Sequence, residues 1–272
     1  MGLILLAVKY LKNSIMCLLL ISYKNHPRYK LIIAANRDEF YSRPASSAHF
    51  WDNKPDLLAG QDMKAGGSWL GLTTSGRFSA ITNYRDTRNL KNDAPTRGYL
   101  VTDFLLNRFS SAEYVKILKE KSDIYNGYNL IFGDVDELNY FSNQTKEVIE
   151  ITPGVYGLSN HLLDTPWYKV EQSKTLFSKI LTNGNITAGD LFEILSDRST
   201  PPDDTLPDTG VGLEIERTIS PVFVETPKYG TRSSTVILVD NKNHTTFTEN
   251  SLNAVSKKWT KSTFEFDIIN DI

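Results

Sequence analysis

The chemistry legible in this chain begins with its only cysteine. Cys17 directly follows Met16, one of three methionines among 272 residues. If Met16 were the point of initiation and were then removed, Cys17 would be the first residue. Its free α-amine, with an ordinary pKa of about 7.7–8.0, could then act as base to its own thiol, ordinarily about 8.5. An interior cysteine has no such amine, and a lone Cys in CLLLISY reads equally as a small buried hydrophobe. Other residues of suitable type stand where apolar runs end. Asn36, Arg37 and Asp38 close one run, Asn83 a second and Asn160 a third, while Arg232 opens a fourth. Arg37 and Arg232 suit a thiolate, Asp38 suits an amine or a substrate amide, and the amides of Asn83 and Asn160 suit a tetrahedral oxyanion. Together these types point to amide or thioester cleavage. Singly, each also fits ordinary turn chemistry, because Asn and Asp favour turns and Arg tolerates surfaces.

Several function classes are disfavoured at once. The histidines His26, His49, His161 and His244 form no i, i+4 pair and no H-E-x-x-H, so a protein-built metal site is not expected. One cysteine rules out an intrachain disulfide and a multi-thiolate cluster. There is no G-x-G-x-x-G, P-loop or G-x-S-x-G. Lys+Arg 30 against Asp+Glu 32 leaves a formal charge of -2, with no overall basic field to gather nucleic acid. With 40% hydrophobic and 23% charged residues the chain has the composition of a packed globule.

The N-terminus, MGLILLAVKYLKNSI, carries apolar runs at 2–8 and 15–21, divided by KYLKNS. Neither reaches the roughly 18–20 residues that span a bilayer, and no transmembrane segment is expected. No charged region precedes the first run, and no small-residue cleavage site follows it. Lys9 and Lys12 with no acid before Asp38 give a weakly basic, amphipathic leader. Residues 1–15 are therefore read as a leader, mitochondrial in style, or as an upstream extension before a start at Met16. Residues 16–272 are read as a single domain.

The candidate residues need elements to position them. Residues 17–23 and 30–35 read as strands buried on both faces around the turn KNHPRY, the second running directly into Asn36-Arg37-Asp38-Glu39. After a loop in which DMKAGG at 62–67 reads as flexible, 68–74 and 77–84 flank Ser75-Gly76 as a hairpin. Two helices are expected between about 97 and 122, the second opened by a Ser110–Glu113 capping box. Residues 129–134, 138–143 and 147–152 read as a meander, and 156–160 as a further short extended piece. Thr165 as N-cap with Pro166 first in the helix opens an element that Asn183-Gly184 stops. Thr187 with Asp190 opens a short helix through Leu195, and the Pro- and Asp-rich 199–210 reads as a mobile loop. Strands at 231–240, 245–249 and 263–268 close the chain. This order lacks βαβ alternation and predicts an α+β class with largely antiparallel sheets.

The blocks MCLLLISY, LIIAANRDEFYSRP, GGSWLGL, ITNY, YNGYNLI, TPGVYGLSNHLLDTPW and YGTRSSTVILVD resemble the successive signatures of the NRDE, or transport and Golgi organisation, family. They run from Met16 to the final strands, and the run at 31–44 is highly specific. The resemblance implies a four-layer αββα, N-terminal nucleophile hydrolase-like fold with two antiparallel sheets. A second, weaker similarity reaches the cysteine acylases of that fold, the bile-salt hydrolase and penicillin V acylase group. It implies Cys17 as nucleophile, Arg37 and Asp38 as the pair after the second strand, Asn83 and Asn160 as oxyanion amides and Arg232 as a late arginine. The departure is the leader, since Cys17 behind fifteen retained residues has no free amine.

The family's biology implies Golgi organisation and secretion, mobilisation of haem, and acyl-lipid or acyl-coenzyme A metabolism, in cytoplasm and mitochondria. The expectation that follows is a carrier or homeostasis factor for a hydrophobic, anionic small molecule such as haem or an acyl thioester, with Arg37 and Arg232 pairing its charges. The alternative is a cysteine amidohydrolase or thioesterase using Cys17, and a third reading is an interaction protein with a vestigial site. No cofactor is required. Haem, with no C-P dipeptide and no C-x-x-C-H, would be a noncovalent cargo. His161 is read as a satisfied polar residue in preference to an axial ligand.

Overall fold

Apolar runs at strand spacing build two antiparallel sheets, and runs at helix spacing cover them. The structure, a computed structural model, describes residues 17–269; the leader expected at 1–15 lies outside them. The strands are β1 (Cys17–Tyr23), β2 (Tyr29–Phe40), β3 (Ala45–Trp51), β4 (Lys54–Asp62), β5 (Leu70–Thr73), β6 (Arg77–Asn83), β7 (Tyr128–Asp134), β8 (Glu137–Ser142), β9 (Val148–Glu150), β10 (Gly154–Leu158), β11 (Tyr229–Asp240), β12 (His244–Leu252) and β13 (Trp259–Asp267). The helices are α1 (Gly98–Leu106), α2 (Ser111–Lys121), α3 (Tyr168–Leu181), α4 (Ala188–Leu195) and α5 (Leu213–Ile219). A six-stranded sheet runs β10-β1-β2-β11-β12-β13 and a seven-stranded sheet runs β3-β4-β5-β6-β7-β8-β9. Among the described residues no helix is long and apolar enough to cross a membrane.

Among the described residues three large apolar cores define four layers. Alternation along each strand sends Leu19, Ile21, Leu31, Ile33, Leu72, Phe78, Ile131 and Phe247 into the space between the sheets. The opposite side chains of the six-stranded sheet, among them Leu18, Leu20, Ile32 and Ala34, meet Phe177 of α3 and Leu191 of α4. Leu57, Tyr128, Leu130 and Phe132 of the other sheet meet Phe104 of α1 and Leu118 of α2. The αββα layering implied by the resemblance is thus the layering observed. The capping boxes at Ser110–Glu113 and Thr187–Asp190 are both formed.

Other local expectations are corrected. β2 does not stop before Asn36: it continues to Phe40, because β1 and β11 pair with it on both sides as far as the polar run. Residues 45–51 and 54–62 are strands where the sequence suggests a loop. The segment 62–67 is a tight turn in which the Asp62 Oδ1 accepts from the amides of Lys64 and Ala65, at 3.0 and 3.3 Å. α3 starts at Tyr168 with Trp167 at its N-cap; the Thr165 hydroxyl is already used, donating to the Leu162 carbonyl at 2.8 Å. The Pro- and Asp-rich stretch holds a 3₁₀ turn at Asp203–Thr205 and is fastened by Arg217 to Asp203 and by Glu216 to Thr209. Those fastenings come from α5, which sequence reading missed.

Candidate functional site

Antiparallel pairing assembles the candidate residues at one end of the sandwich. The β1–β2 register sets Cys17 opposite Arg37, and the β2–β11 register sets Asp38 opposite Thr231 and Arg37 opposite Ser233. The register slips by one residue there, leaving Arg232 as the bulged position. Asn83 ends β6, and Asn160 lies two residues past β10. Strand alternation then divides the polar run of β2. Cys17, Arg37 and Glu39 face the space between the sheets, whereas Asn36 and Asp38 face the helices.

On the inner side, Cys17, Arg37 and Asn83 line a cleft of about 430 Å³. Four cationic side chains, Arg37, Arg43, Lys64 and Arg97, line it against two carboxylates, Glu39 and Asp62. The Arg37 guanidinium lies 4.1 Å from the centre of the Trp69 ring and 3.5 Å from Glu39 Oε2. Desolvation alone would lower the Arg43 pKa, but Arg43 donates through Nε and Nη2 to Asp62 Oδ2, at 3.0 and 2.5 Å, and the net shift is upward. Arg97 donates to the Gly127 carbonyl at 2.8 Å, and desolvation brings its pKa down to about 10. The cleft is therefore a cationic pocket whose three guanidinium groups are held in place.

Around Cys17 the groups are committed to one another. Its backbone N–H donates to Asn160 Oδ1 at 3.3 Å, and Asn160 Nδ2 donates to the Asn83 carbonyl at 2.8 Å. The Ser159 hydroxyl donates to the Cys17 carbonyl at 2.8 Å. Burial, reinforced by the Asp38 carboxylate and only partly offset by the Asp38 amide and Arg37, pushes the thiol up to about 12. The thiol is therefore neutral at physiological pH, and the pull of Arg37 toward thiolate is outweighed.

Asp38 stands behind the cleft. Its Oδ1 accepts from the Thr231 hydroxyl at 2.6 Å, while its buried Oδ2 has no hydrogen-bond partner. Burial pushes its carboxyl up to about 7, against the pull of Lys169. Lys169, 5% exposed, donates to the Ile219 carbonyl at 3.4 Å and is itself brought down to about 8 by burial. Nearby, Arg85 and Glu216 form a buried pair at 2.7 Å.

Arg232 does not line the cleft. Its Nη1 donates to the Phe40 and Arg43 carbonyls, each at 3.0 Å, and the side chain faces a neighbouring cavity of about 130 Å³. Arg37 and Trp69 form the wall common to both spaces. Asn36 serves the fold: it donates to the Leu195 and Val222 carbonyls at 2.8 and 2.9 Å and accepts from Ser234 at 2.6 Å. His161 is satisfied on both ring nitrogens by Tyr84 and Thr165. Among the described residues no group of three or more His, Cys, Asp or Glu could hold a metal.

Sequence reading missed Arg43, Lys64, Trp69, Arg97 and Lys169. For Lys169 a signal existed. It shares the spacing of Ser173, Phe177 and Leu181 on α3, a stripe buried along its length.

The family described as Transport and Golgi organisation 2 matches residues 16–254. The transport and Golgi organization protein 2 homologue of Bos taurus is 41% identical, over 92% of this chain and 99% of that protein. The homologue of Homo sapiens is 39% identical over 93% and 99%, and the protein of Drosophila melanogaster 28% identical over 94% and 100%. Among solved structures, an N-acylethanolamine-hydrolyzing acid amidase orthologue of Caenorhabditis elegans covers 82% of this chain and 92% of its own, at 11% identity and TM-score 0.47. A conjugated bile acid hydrolase of Clostridium perfringens covers 93% and 92%, at 12% identity and TM-score 0.48. Likeness at that level bears on neither substrate nor reaction.

Proposed function

The chain belongs to the Transport and Golgi organisation 2 family, and from that membership we propose that it serves Golgi organisation and secretion as a carrier of an anionic acyl molecule. The observation that carries this reading is the cleft of about 430 Å³, in which Arg37, Arg43, Lys64 and Arg97 outnumber Glu39 and Asp62. Fixed guanidinium groups recognise phosphate or carboxylate oxygens. The apolar lining is confined to Trp69, Ile81, Ala94 and Pro95. It suits the charged head of an acyl thioester such as an acyl-coenzyme A better than the broad apolar face of haem. We place this activity in the cytoplasm and at Golgi or mitochondrial surfaces.

Titrating palmitoyl-coenzyme A and haemin separately, with the heat of binding as readout, tests the reading. Acyl-coenzyme A binds the more tightly, Arg97→Ala weakens it at least tenfold, and Cys17→Ser leaves it unchanged. Arg97→Ala binding like the wild type would overturn the cleft as the ligand site.

One observation favours a second reading, a cysteine hydrolase. The Cys17 nitrogen is anchored on Asn160 Oδ1 while the residue lines the cleft. A free α-amine at that position would take the thiol proton as sulfur attacks an acyl carbonyl, return it to the departing amine or thiol, and then take a proton from the water that cleaves the acyl–sulfur bond and restore it to the thiol. A chain beginning at Cys17 should then cleave an acyl amide or thioester, whereas the chain retaining residues 1–16 should not. Turnover by both forms, or persistence of turnover in Cys17→Ser, would refute it.

A further inference from the structure

The turn joining β12 to β13 presents a combination that the fold itself does not require. Val255 is 94% exposed and Trp259 42% exposed, the former at the turn and the latter opening β13. Between residues 250 and 264 the chain carries Lys257, Lys258 and Lys261 and no carboxylate, although the whole molecule has a net charge of -2. All three lysines are exposed.

The turn is also firmly built. Asn253 Oδ1 accepts from the amides of Val255 and Ser256 at 3.0 and 2.9 Å. The Lys257 amide donates to the Asn253 carbonyl at 2.8 Å, and the Asn253 amide donates to the Lys258 carbonyl at 2.9 Å. This network holds Val255 outward. On the neighbouring surface the Trp259 ring meets Phe223 at 5.7 Å, and Arg198 lies 4.1 Å from the centre of the Phe223 ring while pairing with Glu225 at 3.4 Å. Lys257 lies 4.2 Å from the centre of the Tyr41 ring.

An edge strand often carries lysine to deter strand addition, and β13 is an edge. That need accounts for Lys261, which lies within the β12–β13 ladder. It does not account for Lys257 and Lys258, which lie before the ladder's last pair, Leu252 with Trp259. Nor does a turn require an outward valine, since turns favour Gly, Asn, Asp and Ser.

We propose that this turn is a peripheral membrane-docking tip for anionic phospholipid surfaces, with Val255 and Trp259 entering the headgroup boundary while Lys257, Lys258 and Lys261 meet the lipid phosphates. Tryptophan prefers the bilayer interface, clustered lysines are drawn to anionic leaflets, and a weak apolar anchor becomes effective when a basic cluster accompanies it. Asn253 and Thr260, which flank the tip, also line the cavity sharing Arg37 and Trp69 with the cleft. A bilayer at the tip therefore lies beside the ligand site. The docking itself rests on the tip residues and not on what the cleft holds.

Cosedimentation of the full chain with vesicles tests this. Vesicles of equal parts phosphatidylcholine and phosphatidylserine bind the wild type, and phosphatidylcholine alone binds it at least tenfold more weakly. Binding to the anionic vesicles is lost near 1 M salt, where the screening length is about 3 Å. Each tip lysine contributes roughly fivefold to the partition. Lys257→Glu with Lys258→Glu therefore lowers it more than tenfold, whereas Lys116→Glu on α2 changes it less than twofold. Val255→Asp weakens binding as well, and brominated acyl chains quench tryptophan emission in the wild type but not in Trp259→Phe. These positions are exposed, so circular dichroism and thermal unfolding of the variants match the wild type. Equal binding to neutral vesicles, or tip variants that bind like the wild type, would overturn the proposal. So would polyaspartate binding at the tip in solution together with Val255→Asp vesicle binding unchanged, since the surface would then be one for acidic protein.

Discussion

Asp38 is 1% exposed, with one carboxylate oxygen lacking a hydrogen-bond partner, and Lys169 is 5% exposed with a single long hydrogen bond. Neither would be tolerated in isolation, because a buried charge without a counter-charge costs several kcal/mol. Each therefore lowers the cost of burying the other, although burial still outweighs their mutual pull and leaves Asp38 raised and Lys169 lowered. Asp38→Asn and Lys169→Met should each destabilise the protein by roughly 2 kcal/mol in urea unfolding. The double variant should cost less than the sum by at least about 1 kcal/mol. Strict additivity would mean that the two do not interact. This pair shows where sequence reading of the site stopped. Asp38 was legible because it sits in a polar run at an apolar strand. Lys169 was passed over, because a lysine near a helix start ordinarily faces water; its spacing with Ser173, Phe177 and Leu181 marks it as buried, but only the three-dimensional fold puts α3 behind β2. The same holds for Arg43, Lys64 and Arg97, each placed by a turn or a helix entry far from Cys17 in sequence. Arg232 was legible as a residue but misplaced as a partner, since the bulge in β11 turns it into the neighbouring cavity.

At the scale of elements, the strands with strong apolar alternation and the helices with capping boxes were legible, and those whose sequences carry breakers were not. β3 is ASSAHFW, short on branched residues, and β4 is KPDLLAGQD, with Pro and Gly inside it. The glycine has a packing reason that no local rule supplies. A Cβ on Gly60 would lie 2.3 Å from the Trp69 ring, so the strand gives up a side chain to admit the indole that backs Arg37. α5 was missed because it is seven residues long and follows a Pro-rich stretch. Gly133 makes the role of such positions measurable. It lies one residue from the end of β7 at φ 148, where a Cβ would stand 2.0 Å from the Glu137 carbonyl oxygen. Gly133→Ala should cost roughly 3 kcal/mol in chemical denaturation, because both the conformation and the space are denied to a side chain. Gly184, where an added methyl group would meet nothing within 4 Å, should accept Ala within about 0.5 kcal/mol. Equal costs at the two sites would contradict this account of β7.

For the whole molecule, the sandwich is held by its apolar cores, but its pH response comes from polar groups buried between them. Asp38 and Glu249 are both pushed up to about 7, chiefly by burial. Glu249 is 1% exposed, accepts from the Ala48 amide at 2.7 Å and the Thr235 hydroxyl at 3.3 Å, and lies near enough to Arg37 for that charge to oppose the shift. A carboxyl whose folded pKa exceeds its unfolded value favours the folded state when protonated. The stability from Asp38 and Glu249 is thus full below their ordinary values of 3.8 and 4.5 and is lost as pH rises through about 7. Lys169 has the opposite form. Brought down to about 8 from 10.5, it penalises folding while charged and is relieved only as pH rises above about 8. Exposed carboxylates lowered by their partners, such as Asp190 and Asp203, act only toward strong acid. Thermal unfolding should therefore occur at a higher temperature near pH 5.5 than near pH 8. Glu249→Gln should remove on the order of 2 kcal/mol of that difference, or a few degrees in Tm. Calorimetry at the two pH values decides it. A Tm that rises toward pH 8, or a slope that Glu249→Gln leaves intact, would show that these buried carboxyls are ionised in the folded protein and that the cations beside them, Lys169 for Asp38 and Arg37 for Glu249, outweigh the cost of their burial.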